Sequence, residues 1–225
     1  GLLVLVGEDA GAAAGADEGA DGVEGIRDAE GEDGNQHQGD LGGIGEQGGQ
    51  AGAGEDGAEV LLAANSKEQA KIAFDMCSKF SKGLDPKGKY LTAYRADILF
   101  SLTSSKLKVL AADDSKLDGF NASFGLLDEY HAAANSKVRD VIKSSMGMRE
   151  NPHLCTITTA GFDKSLPCYQ LRTVAIEVLN HLKEDDSMFI AIYCLDEGDK
   201  WDSEKNWCKC APNLGITVTK KYIRE

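Results

Sequence analysis

The sequence predicts an α/β fold, a parallel sheet with flanking helices, on three observations. From Glu59 onward, short apolar runs alternate with stretches whose apolar residues recur every three or four positions. The runs are short and apolar throughout, as strands covered on both faces are. Several end in hydroxyls or carboxylates, so the polar chemistry collects where successive strands finish, along one edge of such a sheet.

The first strand reads as Val60-Leu61-Leu62-Ala63-Ala64. Asn65 or Ser66 can cap the helix after it, in which Ala70, Ala73, Phe74, Cys77 and Phe80 share a face and Gly83 marks the end. Weaker signals place short strands near 97–102 and 108–111, separated by Thr103-Ser104-Ser105-Lys106. A strong strand follows at 122–127, closing on Asp128-Glu129, and then a helix near 136–146 with Val138, Val141 and Ile142 on one side. His153-Leu154-Cys155-Thr156-Ile157 is the next strand and runs into Thr158-Thr159-Ala160-Gly161. An amphipathic helix near 165–182 and a strand at 188–194 complete the pattern. Trp201 and Trp207 then lie in an acidic, irregular segment, expected on the domain surface or at an interdomain seam.

Charge divides the chain sharply. Residues 1–59 contain fifteen Asp or Glu against the single base Arg27, whereas the remainder has 22 acids and 23 bases and is near neutral. Residues 1–57 also hold eighteen of the 26 glycines and no aromatic residue, a composition too poor in apolar surface to offset the entropy of ordering it. This segment is expected to be disordered or non-native, either an acidic interaction tail or a solvated low-complexity stretch. The expected organisation is a low-complexity segment over 1–57, a partial catalytic domain over 58–195 and a Trp-containing linker over 196–225. Leu2–Val6 is too short an apolar run to span a bilayer and lacks a basic flank, so no membrane contact is expected. The six cysteines are scattered apart from Cys208-x-Cys210 and read as free thiols rather than half of a zinc site.

The pattern richest in chemistry is Phe124-Gly125-Leu126-Leu127-Asp128-Glu129, an apolar strand that delivers two consecutive carboxylates at its end. Phosphoryl transfer uses such a pair: one acid to place a magnesium ion, the second to accept a proton from an attacking water. Strands also commonly end in charged loops, so the pair alone leaves both readings open. Thr158 and Thr159, at the tip of the next strand, can hydrogen-bond a catalytic acid; equally, β-branched residues suit strands and Gly161 can simply end one.

Residues 118–179, DGFNASFGLLDEYHAAANSKVRDVIKSSMGMRENPHLCTITTAGFDKSLPCYQLRTVAIEVL, together with GAEVLLAANSKEQAKIAFD before them and DEGDKWDSEKNWCKCAPNLGI after them, resemble the ATPase part of tailed-phage terminase large subunits. The resemblance covers about residues 57–225 and carries several separated motifs in order. It implies a P-loop NTPase core of the additional-conserved-acid type, with LLDE as the Walker B motif and TITTAG as the coupling motif. By that resemblance Asp128 is the magnesium residue, Glu129 the catalytic base, and Thr158, Thr159 and Gly161 belong to the coupling motif. His131 follows the acids in a family pattern and is read as structural. The resemblance further implies ATP and Mg2+ in the complete protein and a homo-oligomeric ring acting on double-stranded DNA with a portal and a small terminase subunit. It places the protein in the cytoplasm of an infected or lysogenic bacterium.

The sequence departs from the family where the phosphate-binding loop belongs. No Gly-Lys-Ser or Gly-Lys-Thr occurs anywhere, and residues 1–57 contain no lysine at all. Residues 1 to about 53 are therefore expected to be an out-of-frame or recombined end, and the chain, which starts at Gly1 and stops at Glu225, a fragment without the nuclease domain. Arg139 and Arg149 are candidates for an arginine acting on a neighbouring subunit's nucleotide, against a role in surface salt bridges. Two other readings compete with the motor: an α/β remnant that no longer binds nucleotide, and a helicase-like ATPase of another branch.

Overall fold

The computed structural model describes residues 3–9, 55–111 and 119–224. The strands are β1 (Leu3–Asp9), β2 (Glu59–Ala64), β3 (Leu91–Ala93), β4 (Asp97–Phe100), β5 (Ser105–Ala111), β6 (Ala122–Leu127), β7 (His153–Thr158) and β8 (Met188–Tyr193). The helices are α1 (Lys67–Leu84), α2 (Lys137–Ser145), α3 (Pro167–Leu179), α4 (Trp207–Cys210) and α5 (Lys220–Arg224). All eight strands form one sheet in the order β3-β4-β5-β2-β6-β7-β1-β8.

The expected parallel sheet is present but mixed. β5, β2, β6 and β7 are successively parallel, while β3 and β4 join β5 as antiparallel strands at one edge. The β4–β5 connection is the four-residue turn Ser101–Ser104, which closes on Phe100 opposite Ser105 and ends with Ser104 in the left-handed region at φ 55°. Short polar-flanked strands such as β3 carry little sequence signal, which is why the three residues Leu91–Ala93 escape a periodicity reading.

Of the acidic segment 1–57, expected to be disordered or non-native, residues 3–9 and 55–57 are described, and there the expectation of disorder does not hold. Leu3–Asp9 is a strand inserted between β7 and β8 and antiparallel to both, with Val4 opposite Thr158 and Ile192. The helix α3 crosses from β7 to a strand two places away, leaving an opening one strand wide with unpaired backbone groups on both sides. A chain that supplies N–H and C=O groups at that opening is held by two ladders, whatever the average composition of its surroundings. Glu8 is buried there, bonded to the guanidinium of Arg139 and, at 2.6 Å, to Lys143 Nζ, both on α2. Glu55 and Gly57 are also tied in: Arg149 donates to the Glu55 carboxylate at 3.0 Å and to the Gly57 carbonyl at 2.8 Å. Arg139 and Arg149 thus hold buried ionic contacts instead of surface ones, because burial leaves each guanidinium in need of fixed acceptors. The rest of the acidic segment, residues 10–54, lies outside the described residues.

Helix α1 starts where Ser66 Oγ accepts the Gln69 amide and continues through Gly83 to Leu84, with Asp85 behind it. Ala70 and Phe74 face the sheet as expected, but Phe80 is 63% exposed while Ser81 beside it is buried, because at 3.6 residues per turn Phe80 stands about 120° around the helix from Phe74 and Ser81 only about 20°. α2 lies over β6, and α3, opened by Pro167 at its first position, lies over β8. The core is Leu61, Ala63, Leu110, Ala122, Leu127, Tyr130, Ile142, Met146 and Leu154. Trp207 is buried and donates its indole N–H to the carbonyl of Trp201, whose own ring is exposed. The six cysteines are free thiols. Among the described residues no helix is long and apolar enough to cross a membrane.

Gly125, in the middle of β6, is where α2 comes closest to the sheet. A Cβ there would sit 2.6 Å from Ile142 Cγ2, 3.0 Å from Leu154 Cδ1 and 3.3 Å from Met146 Cε, and all three side chains are fully buried with nowhere to go. Gly125→Ala should therefore destabilise the fold by about 1–3 kcal/mol. Adding Ile142→Val should recover part of that loss, and additive effects in urea denaturation would contradict the contact.

Glu59 opens β2 and is nearly buried. Burial alone would raise its carboxyl pKa, but the Asn121 amide at 2.7 Å, Lys106 at 2.7 Å and Lys108 together outweigh it and hold the carboxyl below its ordinary value. A pKa lower in the folded state means that ionised Glu59 contributes stability above the unfolded value of about 4.3. That contribution disappears as the pH falls through the lower folded value. Stability measured against pH should thus fall less steeply on the acid side in Glu59→Gln than in the parent chain.

Candidate functional site

The strand ends of β2, β6 and β7 lie along one edge because the three strands are parallel and in register, Ala63 beside Leu127 and Leu127 beside Thr156. The ladder continues one residue past β6, where the Asp128 amide donates to the Ala63 carbonyl at 2.8 Å. The chain then turns sharply. Glu129 stands in the left-handed region, φ 52° and ψ 42°, and leads into a single 3-10 turn at Tyr130–Ala132.

Three hydrogen bonds hold that unusual residue. Its amide donates to Asp128 Oδ1 at 2.8 Å, and its carbonyl accepts from Asn65 Nδ2 at 2.9 Å and from the Ala132 amide at 3.1 Å. Left-handed geometry costs a Cβ-bearing residue on the order of 1 kcal/mol, and here the surrounding bonds impose it. Asn65, considered in the sequence only as a helix cap, instead spans from the end of β2 to the turn after β6; the cap is Ser66.

The turn separates the two acids. Glu129 Oε2 points toward β7, accepting from Thr159 Oγ1 at 3.2 Å and lying 3.0 Å from His131 Nδ1. Asp128 lines a cavity of about 250 Å3 between the ends of β2 and β6, with Asn65, Tyr130 and Asn135. Of the residues singled out in the sequence, Glu129, Thr158, Thr159 and Gly161 are therefore brought together with His131, whereas Asp128 faces the neighbouring cavity. Its Oδ1 is engaged by the Glu129 amide.

Thr158 is buried at the end of β7, and its Oγ1 accepts from the His131 amide at 2.9 Å, fastening the turn after β6 to the next strand. Beside it, Cys168 at the start of α3 has its thiol pKa raised by burial, with Thr158 as a hydrogen-bond partner acting in the opposite direction. Gly161 packs against His131: a Cβ there would meet His131 Cβ at 3.1 Å and its carbonyl oxygen at 3.4 Å. His131, Thr159 and Gly161 border a cavity of about 300 Å3 completed by Lys164, Tyr169 and Arg172. Arg172 Nε is buried without a hydrogen-bond partner among the described residues.

Among the described residues no group of three or more His, Cys, Asp or Glu is arranged to hold a metal unaided. Asp128 offers a single carboxylate, which suits magnesium, an ion that keeps waters and substrate oxygens in its shell and takes one or two carboxylates from the protein. The triphosphate is not matched in the same way, because the sequence has no Gly-Lys-Ser or Gly-Lys-Thr loop to surround it. His131, read from the sequence as structural, has its ring at the meeting of Glu129, Thr158 and Thr159. Its position two residues after Glu129 was the available signal.

A family model described as Terminase large subunit, ATPase domain, matches residues 52–177, more than half of the 225. Protein YmfN of Escherichia coli strain K12 is 36% identical over 106 residues, which is 47% of this chain and 23% of that protein. The Terminase large subunit of Lactococcus phage p2 is 23% identical over 169 residues, 72% of this chain and 31% of its own length. The crystal structure of the HK97 bacteriophage large terminase matches with a TM-score of 0.64 and 20% sequence identity, covering 75% of this chain and 35% of that one, a likeness of fold. The chain thus spans roughly a quarter to a third of the proteins it matches. With the family model extending over the strand-end acids, the threonine tip of β7 and most of α3, the chain belongs to the terminase large subunit ATPase domain family.

Proposed function

We propose that this chain carries the water-activating and coupling part of an ATP-driven motor that packages viral DNA. The observation that carries the reading is the hydrogen bond from Thr159 Oγ1 to Glu129 Oε2 at 3.2 Å, which joins the candidate base to the threonines at the next strand tip. A carboxylate acting as base needs a free lone pair at a water-accessible position, and Glu129 is partly exposed at the edge where open α/β sheets bind ligands. A hydroxyl bonded to that base can pass a change in its surroundings into β7 and the sheet. Asp128 would hold the magnesium ion, which supplies charge stabilisation for the terminal phosphates.

The strain at Glu129 favours a functional role for the turn. A sequence free to choose would place glycine or asparagine at a left-handed position, and glutamate is retained there at a cost in stability. The family's work on double-stranded DNA in a homo-oligomeric ring, with a portal and a small terminase subunit, in the host cytoplasm, comes to this chain by membership.

A second reading has its own observation. The absence of a Gly-Lys-Ser/Thr loop favours a folded remnant that binds no nucleotide. Under either reading the chain by itself should release no phosphate from ATP above background, in a colorimetric assay. The readings part when an upstream segment with such a loop is joined ahead of Glu59. Magnesium-dependent turnover then appears only if the acids and hydroxyls are competent. In that protein Glu129→Gln should lower turnover by about 10²–10⁴-fold while nucleotide binding persists. Asp128→Ala should chiefly raise the magnesium concentration required. Full turnover in both variants would make the carboxylates ordinary strand-end charges.

The turn itself can be tested in the chain without nucleotide. Glu129→Gly should be more stable than Glu129→Ala by on the order of 1 kcal/mol in urea denaturation, because only the former removes the left-handed penalty. Equal stabilities would mean that the turn relaxes once the carboxylate is gone.

A further inference from the structure

The ring of His131 stands at the point where the candidate base and the threonine tip of β7 meet. Its Nδ1 lies 3.0 Å from Glu129 Oε2, 3.1 Å from Thr158 Oγ1 and 3.4 Å from Thr159 Oγ1. We propose that His131 is a positioning residue, which donates from Nδ1–H to hold the Glu129 carboxylate against the threonine tip of β7. This deepens the reading of Glu129 as the base and rests on it for its functional meaning.

The proton on Nδ1 follows from what surrounds it. An ionised carboxylate only accepts, so a nitrogen 3.0 Å from Glu129 Oε2 must bring the hydrogen. The threonines agree. Thr159 Oγ1 directs its own proton to Glu129 Oε2, and Thr158 Oγ1 directs its proton to the Thr159 carbonyl at 3.0 Å, so both present lone pairs to the ring. A ring with its lone pair at Nδ1 could take a proton only from a threonine hydroxyl turned away from its present acceptor, and would still face the Glu129 carboxylate oxygen with no proton between them. With Nδ1 protonated, Nε2 carries the lone pair of the neutral ring.

Two further features fix the ring in this place. The His131 amide donates to the same Thr158 Oγ1 at 2.9 Å, so backbone and side chain of one residue converge on one hydroxyl. Gly161 provides the space, since a Cβ there would lie 3.1 Å from His131 Cβ and 3.7 Å from its Cδ2. The left-handed Glu129 begins the turn that returns the carboxylate toward the ring two residues later. A histidine that only anchored the turn would need Thr158 and have no use for Glu129.

That difference gives the test. In the 15N-labelled chain as it stands, long-range 1H–15N correlation spectra at mildly alkaline pH report which nitrogen of each neutral imidazole bears the proton. His131 should be in the Nδ1–H form. Glu129→Gln should shift its Nδ1 resonance, and His131→Phe should shift the side-chain carboxyl 13C signal of Glu129 in the labelled chain. Thr158→Val should also move Nδ1, with circular dichroism verifying that each variant is folded. An Nε2–H ring in the parent chain would overturn the proposal, as would an Nδ1 resonance indifferent to Glu129→Gln in a folded variant. Because these signals need no nucleotide, their failure is separate from failure of the base assignment, which is read from turnover of Glu129→Gln in the loop-restored protein.

Discussion

Everything at the strand-end edge depends on β6 being clamped in parallel register between β2 and β7. The two ladders fix the height at which β6 ends, and the Asp128 amide extends one of them by a residue before the chain turns. The helix above must then come close enough to seal the clamp, which Gly125 permits by leaving room for Ile142, Leu154 and Met146. A side chain at that point would lift α2, and with α2 the turn that precedes it. The positions of Asp128, Glu129 and His131 are thus set by backbone hydrogen bonds and by a missing methyl group, before any interaction of their own.

The opposite end of the sheet is held by charge. Glu59, Glu55 and Glu8 are each buried or partly buried, and each is met by lysine or arginine from a different segment: Lys106 and Lys108 from β5, Arg149 after α2, Arg139 and Lys143 from α2. Buried carboxylates of this kind contribute little net stability over a well-packed apolar core, but breaking any one leaves an uncompensated charge. They therefore specify which segments meet. Acidity that reads as a solvated surface in the composition is, at these three positions, part of the contact between segments.

At the site the order is reversed, and the protein keeps strain and polar crowding where it could have avoided both. Glu129 takes a left-handed conformation held by Asn65, Asp128 and Ala132, and its partly exposed carboxylate meets a histidine and a threonine hydroxyl. The turn also parts the adjacent acids, with Asp128 lining the cavity beside the end of β2 and Glu129 turned to the threonine tip of β7. Consecutive carboxylates at a strand end would repel if both faced one space, and the turn relieves this by directing Asp128 toward β2 and Glu129 toward β7.

The alternation of strands and helices from Glu59 onward was legible in the sequence, because continuous apolar runs and apolar patterns of period 3.6 are local features of the chain. The sequence located β2, β6, β7 and β8 closely. It could not show which way each acid turns, since that follows from one left-handed residue and from Asn65 reaching across from another strand. His131 is similar: its two-residue spacing from Glu129 is visible, but its ring nitrogen acquires meaning only when β7 brings Thr158 and Thr159 alongside. The clearest case is Leu3–Asp9. Composition placed it in a disordered segment, whereas the opening between β7 and β8 made it a strand, because unpaired backbone groups on both sides supply the hydrogen bonds that its own neighbourhood in sequence lacks.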